Sequence, residues 1–119
     1  MQEKEMISHI IAAIEDKKGT EITTISFTEK GGVADAFVIS TGNTDRQTKA
    51  IADNVEDVLE EKAGIKSLRK EGYQQGKWII LDYGTIMVHV FTPQEREYYD
   101  IERLWQESHK VLGAVKENV

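Results

Sequence analysis

Trp78-Ile79-Ile80-Leu81-Asp82-Tyr83-Gly84-Thr85-Ile86-Met87-Val88-His89-Val90-Phe91 is the stretch that decides the fold. Two apolar, β-rich runs flank a glycine-bearing break, the pattern of a β-hairpin. Side chains alternate along a strand. With Tyr83-Gly84 as the loop, Trp78 lies opposite His89; with Gly84-Thr85, it lies opposite Phe91. Either register gives the same two faces. Ile79, Leu81, Ile86, Val88 and Val90 form an aliphatic face suited to a core. Trp78, Ile80, Asp82, Met87, His89 and Phe91 form a mixed face. A helix could cover that face, or it could stay partly open for docking. Trp and Met suit interfaces, and an Asp beside them would select a basic partner.

Working outward, Met6, Ile7, Ile10, Ile11 and Ile14 fall at helical spacing, with Gly19 placed to end that helix. Glu21 to Thr28 and Ala36 to Thr41 read as strands, the second apolar enough to be covered on both faces. Thr44-Asp45-Arg46-Gln47 has the form of a capping box, followed by Ile51, Val55, Val58 and Leu59 on one face and Gly64 as the C-terminal glycine. Ser67 to Glu71 reads as a further strand. After the hairpin, Thr92-Pro93-Gln94-Glu95 starts a short helical turn. Asp100 can cap another helix carrying Ile101, Leu104, Trp105 and Leu112, so residues 106–119 are expected to form a helical tail. The order implies a single domain, 1–119, of the α/β class: a mixed β-sheet of about five strands flanked by helices.

The chain has 119 residues, no cysteine and a net charge of −6. That excludes disulfides, thiolate metal sites and a Cys nucleophile. The acidic balance argues against sequence-specific nucleic-acid binding and for a basic partner. No apolar run reaches the roughly 20 residues of a membrane span, and the start has no signal-peptide pattern, so a cytoplasmic protein is expected. Nucleotide-binding and hydrolase motifs are missing, as is any Asp-x-Asp pair for a catalytic metal. His9, His89 and His109 are far apart in sequence. No catalytic residue, metal or cofactor is expected. The strand-to-helix loop Ser40-Thr41-Gly42-Asn43-Thr44 could hold a phosphate on backbone N–H groups, or it is simply a tight turn.

Two blocks carry a resemblance. The first is Asp35-Ala36-Phe37-Val38-Ile39-Ser40-Thr41-Gly42-Asn43-Thr44 with Arg46-Gln47 and Ile51-Ala52-Asp53. The second runs from Glu71-Gly72 through Trp78 to Gly84 and Val88 to Phe91, and ends in Arg96-Glu97-Tyr98-Tyr99-Asp100-Ile101-Glu102-Arg103-Leu104-Trp105. In order and spacing they resemble the Iojap family, the ribosomal silencing factors, over about residues 5 to 106, with the tail outside the match. The resemblance implies a nucleotidyltransferase-like fold that lacks the transferase carboxylates. It implies binding to ribosomal protein fourteen of the large ribosomal subunit, blocking its association with the small subunit and repressing translation under nutrient limitation. It also implies a homodimer. Carried over, the partner-binding residues are Trp78, Asp82, Met87, His89, Tyr98 and Tyr99. Trp78 and Met87 would be apolar anchors, Asp82 would meet a basic side chain, and the tyrosines would flank the patch. Where the family often has an acidic residue after the hairpin glycine, this chain has Thr85. The alternative function is a nucleotide-binding enzyme with residual nucleotidyltransferase-type chemistry; a third is a dimeric scaffold.

Overall fold

In the computed structural model, the hairpin takes the second register. Trp78 pairs with Phe91, Ile80 with His89 and Asp82 with Met87. The structure describes residues 1–27, 34–108 and 111–117, and from residue 105 onward only the course of the backbone. His109 and the side chain of Trp105 therefore lie outside the described residues.

The elements run α1 (Glu3–Asp16), β1 (Thr20–Phe27), β2 (Ala36–Thr41), α2 (Asp45–Ala63), β3 (Arg69–Glu71), β4 (Trp78–Asp82), β5 (Ile86–Phe91), α3 (Pro93–Tyr99), α4 (Ile101–Ser108) and β6 (Val111–Glu117). The strands form one sheet in the order β3-β4-β5-β2-β1-β6. Only β2 and β5 are parallel; the other neighbours are antiparallel. The five expected strands are present, and β6 is a sixth.

That sixth strand corrects the expected helical tail. Val111-Leu112-Gly113-Ala114-Val115 is apolar enough to suit a helix stripe, but Gly113 weakens a helix. As a strand, the segment pairs with β1 from Ile22 to Phe27 and so satisfies an edge that would otherwise be open.

The two faces of the sheet are unequal. The aliphatic hairpin face lies under α1 and α2. Ile10 and Ile14 of α1, Ile51, Val55 and Leu59 of α2, and Ile79, Leu81, Val88 and Val90 are fully buried in one cluster. Each such side chain contributes about 1.5–3 kcal/mol of burial. On the other face, Ile25, Phe27, Phe37, Ile39 and Phe91 make a second cluster. Ile101 of α4 joins it, and Trp78 and Met87 pack at its edge.

Local chemistry sets the ends of the elements. Thr44 Oγ1 accepts from the Gln47 N–H at 3.1 Å, and Gly64 closes α2 at φ 66°. Gln47 does more than cap: its Oε1 accepts from the Asn43 N–H, and its Nε2 donates to Lys17 and Lys18 carbonyls at the end of α1. Thr92 holds the N-cap position of α3 with an extended backbone, but its side chain makes no cap hydrogen bond; Pro93 supplies the helix-start geometry. Asp100 is the left-handed joint between α3 and α4, at φ 44°.

Candidate functional site

The second sheet face carries the residues that the hairpin reading singled out. Trp78, at the start of β4, is half-buried. Its ring stacks on Phe91, across the ladder, with centroids 4.9 Å apart and planes 25° apart. It also meets Tyr99 of α3 at 4.8 Å. Its indole N–H donates to His89 Nδ1 at 3.1 Å. Tyr98 stands edge-on to Tyr99 at 4.9 Å. Tyr98 is 80% exposed and Tyr99 46%. The result is an aromatic ridge whose base is core and whose crest meets solvent.

The strand period brings Ile80, Asp82 and Met87 to the same face, all half-buried. Asp82 is already engaged. Its Oδ1 accepts from the Gly84 N–H at 2.8 Å, which steadies the hairpin turn, and its Oδ2 lies 3.4 Å from Arg69 Nη2. A carboxylate has about four lone-pair sites, so acceptor capacity remains for a basic group.

His89 corrects an expectation. It lies beneath the ridge, 3% exposed, so it does not present a surface to a partner. Its ring sits 4.6 Å from that of Phe37 and 6.2 Å from that of Phe91. Burial among these rings pushes its pKa down to about 4, which leaves the imidazole neutral at pH 7. Nδ1 accepts the indole N–H, so the ring proton belongs on Nε2, which has no hydrogen-bond partner among the described residues. His89 therefore supports the Trp78 indole from below.

Sequence reasoning missed two contributors. Leu104 of α4 is 56% exposed beside the tyrosines, in a recess of about 430 Å³ lined by Glu97, Tyr98, Tyr99, Asp100, Arg103 and Leu104. Its helical spacing resembles that of a core residue, so pattern alone could not single it out. The other is Arg96, which is 8% exposed. Its Nε and Nη2 grip both carboxylate oxygens of Glu102 at 2.9 and 3.1 Å. Nη1 donates to the Glu21 carbonyl and to Thr41 Oγ1, and Nη2 also donates to Thr23 Oγ1. No short-range spacing signals a network that joins residues 21, 23, 41, 96 and 102.

The Gly42 loop is a tight turn. A side chain on Gly42 would come within 3.0 Å of Thr48, and the Gly42 N–H is spent on the Phe91 carbonyl. The Asn43 and Gln47 N–H groups are taken by the cap. Three N–H groups of the loop and first helical turn are thus spent within the protein, so the geometry does not favour the nucleotide-enzyme alternative. Among the described residues, no group of three or more His, Asp or Glu side chains could hold a metal, and no helix is long and apolar enough to cross a membrane.

A family model described as "Ribosomal silencing factor during starvation" matches residues 1–119. The chain belongs to the ribosomal silencing factor family. The silencing-factor match includes residues 106–119, which corrects the expectation that the tail lies outside the family. A relative from Halalkalibacterium halodurans, named ribosomal silencing factor, is 36% identical over 93% of this chain and 94% of its own length. Another silencing factor, from Bacillus subtilis, is 37% identical over 88% of each chain. A crystal structure of a Chromobacterium violaceum protein superposes with a TM-score of 0.83 at 36% identity, covering 89% of this chain and 88% of that one. These matches bear out the resemblance and the mixed-sheet α/β fold.

Proposed function

We propose that the protein binds the large ribosomal subunit through ribosomal protein fourteen and keeps the small subunit from joining, lowering translation when nutrients are scarce. The observation that carries this reading is the unequal sheet. One face is sealed by two helices, and the other leaves Trp78, Ile80, Met87, Tyr98 and Tyr99 within reach of a partner. The relatives' name, ribosomal silencing factor, supports it. The mechanism is steric, needs no bond chemistry or cofactor, and operates in the cytoplasm; the protein is not an enzyme.

Trp78 and Met87 serve as apolar anchors, Tyr98 and Tyr99 flank them, and Asp82 offers its remaining lone pairs to a basic side chain. His89 holds Trp78 from below. Nanomolar binding corresponds to about −12 kcal/mol. Roughly 800 Å² per partner with a few aromatic anchors is enough for that, about a tenth of the 6866 Å² surface. The net charge of −6 speeds encounter with a basic partner. The reading also includes a homodimer, as the family resemblance implies.

Sedimentation through a sucrose gradient tests the proposal. The protein should travel with isolated large subunits and not with small ones, and Trp78→Ala should lower the fraction that travels with them. A wild-type protein that stays at the top would overturn the reading.

A further inference from the structure

We propose that Arg96 is the positioning residue of the docking surface: clamped on Glu102, it holds α3 and α4 in the orientation that sets the Tyr99 ring against Trp78, tilted at 44° and 4.8 Å away. This rests on the docking reading of that face.

Arg96 is the only buried residue of α3. A seven-residue helix with no apolar residue in the core has little else to fix its angle to the sheet. The anchorage is instead electrostatic. The guanidinium has five N–H donors, and five bonds leave it: two to Glu102 of α4, two to Glu21 and Thr23 of β1, and one to Thr41 of β2. One side chain thus ties two helices to two strands. β1 is shaped to receive it. A register shift between Thr20 and Thr23 and a φ of 48° at Glu21 accompany the carbonyl that accepts from Nη1.

The geometry links this clasp to the aromatic ridge. Tyr99 lies three residues after Arg96, one turn along the same short helix. The Asp100 N–H closes that helix on the Arg96 carbonyl at 2.9 Å, and the left-handed Asp100 then turns the chain into α4, where Glu102 reaches back to the guanidinium. Arg96, Tyr99 and Glu102 therefore move as a unit. If the fork rotates, Tyr99 leaves the Trp78 ring. Lysine has three donors and no planar fork, so it cannot reproduce the five bonds.

The test uses the full chain carrying Trp105→Phe, which makes Trp78 the sole tryptophan. Arg96→Lys and Glu102→Gln are compared with this parent, each alone and with Tyr99→Ala. Far-UV circular dichroism checks folding; Glu102→Gln, at the half-exposed end of the clasp, is the variant least prone to unfold. Acrylamide quenching reads the exposure of Trp78, and sedimentation with large subunits reads docking. Both clasp variants should make Trp78 easier to quench and weaken docking about tenfold. Adding Tyr99→Ala should weaken it little further, because the clasp works through that ring. Parent-like quenching in both clasp variants would overturn the proposal, as would additive losses with Tyr99→Ala. If the wild-type protein fails to bind large subunits, the docking reading falls, and quenching in the Trp105→Phe background alone still decides the clasp.

Discussion

Replacing Trp78 by alanine should weaken the protein twice, once in its fold and once in its docking. Among the described residues the ring meets Phe91, Tyr99 and, more distantly, His89; its two close ring pairs, with Phe91 and Tyr99, and its hydrogen bond to His89 set the loss. Each ring pair is worth about 0.5–1.5 kcal/mol, and the hydrogen bond about 1 kcal/mol. Their sum predicts a loss of about 2–4 kcal/mol in unfolding free energy, read from urea denaturation. Docking should weaken by about 2 kcal/mol or more, roughly thirtyfold, if Trp78 is an anchor. Trp78→Phe separates the terms. It keeps a ring against Phe91 and Tyr99 and gives up the N–H, so it should lose about 1 kcal/mol of stability. Its docking should fall by less than tenfold. Titrating labelled protein with large subunits below the denaturation range measures this directly. Wild-type affinity in a folded Trp78→Ala variant would remove the ridge from the interface. An equal docking loss in both variants would show that the indole N–H matters and the ring area does not.

Three further outcomes follow from the same geometry. Unfolded His89 takes a proton near pH 6.5, whereas the folded side chain resists one until about pH 4. Stability should therefore be unaffected by this group above 6.5 and fall by roughly 3 kcal/mol as the pH drops from 6.5 to 4; in His89→Phe, urea titrations across that range should show the fall reduced by this amount. Gln47→Ala removes the bonds that join the ends of α1 and α2, and should lower stability by about 1–2 kcal/mol and the melting temperature by several degrees; an unchanged melting temperature would count against it. Gly72→Ala would put a methyl group 2.0 Å from the Trp78 carbonyl at a φ of 76°. It should destabilise the protein by about 2 kcal/mol or more and alter the near-UV signal of Trp78; a wild-type spectrum would contradict the packing described.

What was legible in the sequence was what local periodicity or local chemistry decides. The two hairpin faces follow from alternation alone, and either register gave them. The cap at Thr44 and the glycine at 64 follow from backbone geometry within a few residues. The tail departs from the helical expectation because an apolar run such as Val111 to Val115 fits both periods; its pairing with β1, about 90 residues away, selects the strand. His89 was visible as a residue of the mixed face. Its burial depends on Phe37, Trp78 and Phe91, which no spacing rule brings together. The clasp was hidden for the same reason. Arg96 falls on a short polar helix, and its partners come from β1, β2 and a second helix beyond a bend at Asp100.

Subunit joining, followed by light scattering as large and small subunits are mixed, bears most directly on the proposed obstruction. Adding the protein to the large subunits first should lower the joined fraction in proportion to the protein bound, and Trp78→Ala should restore joining at the same concentration. Undiminished joining with the protein still seated on the large subunit would contradict the account.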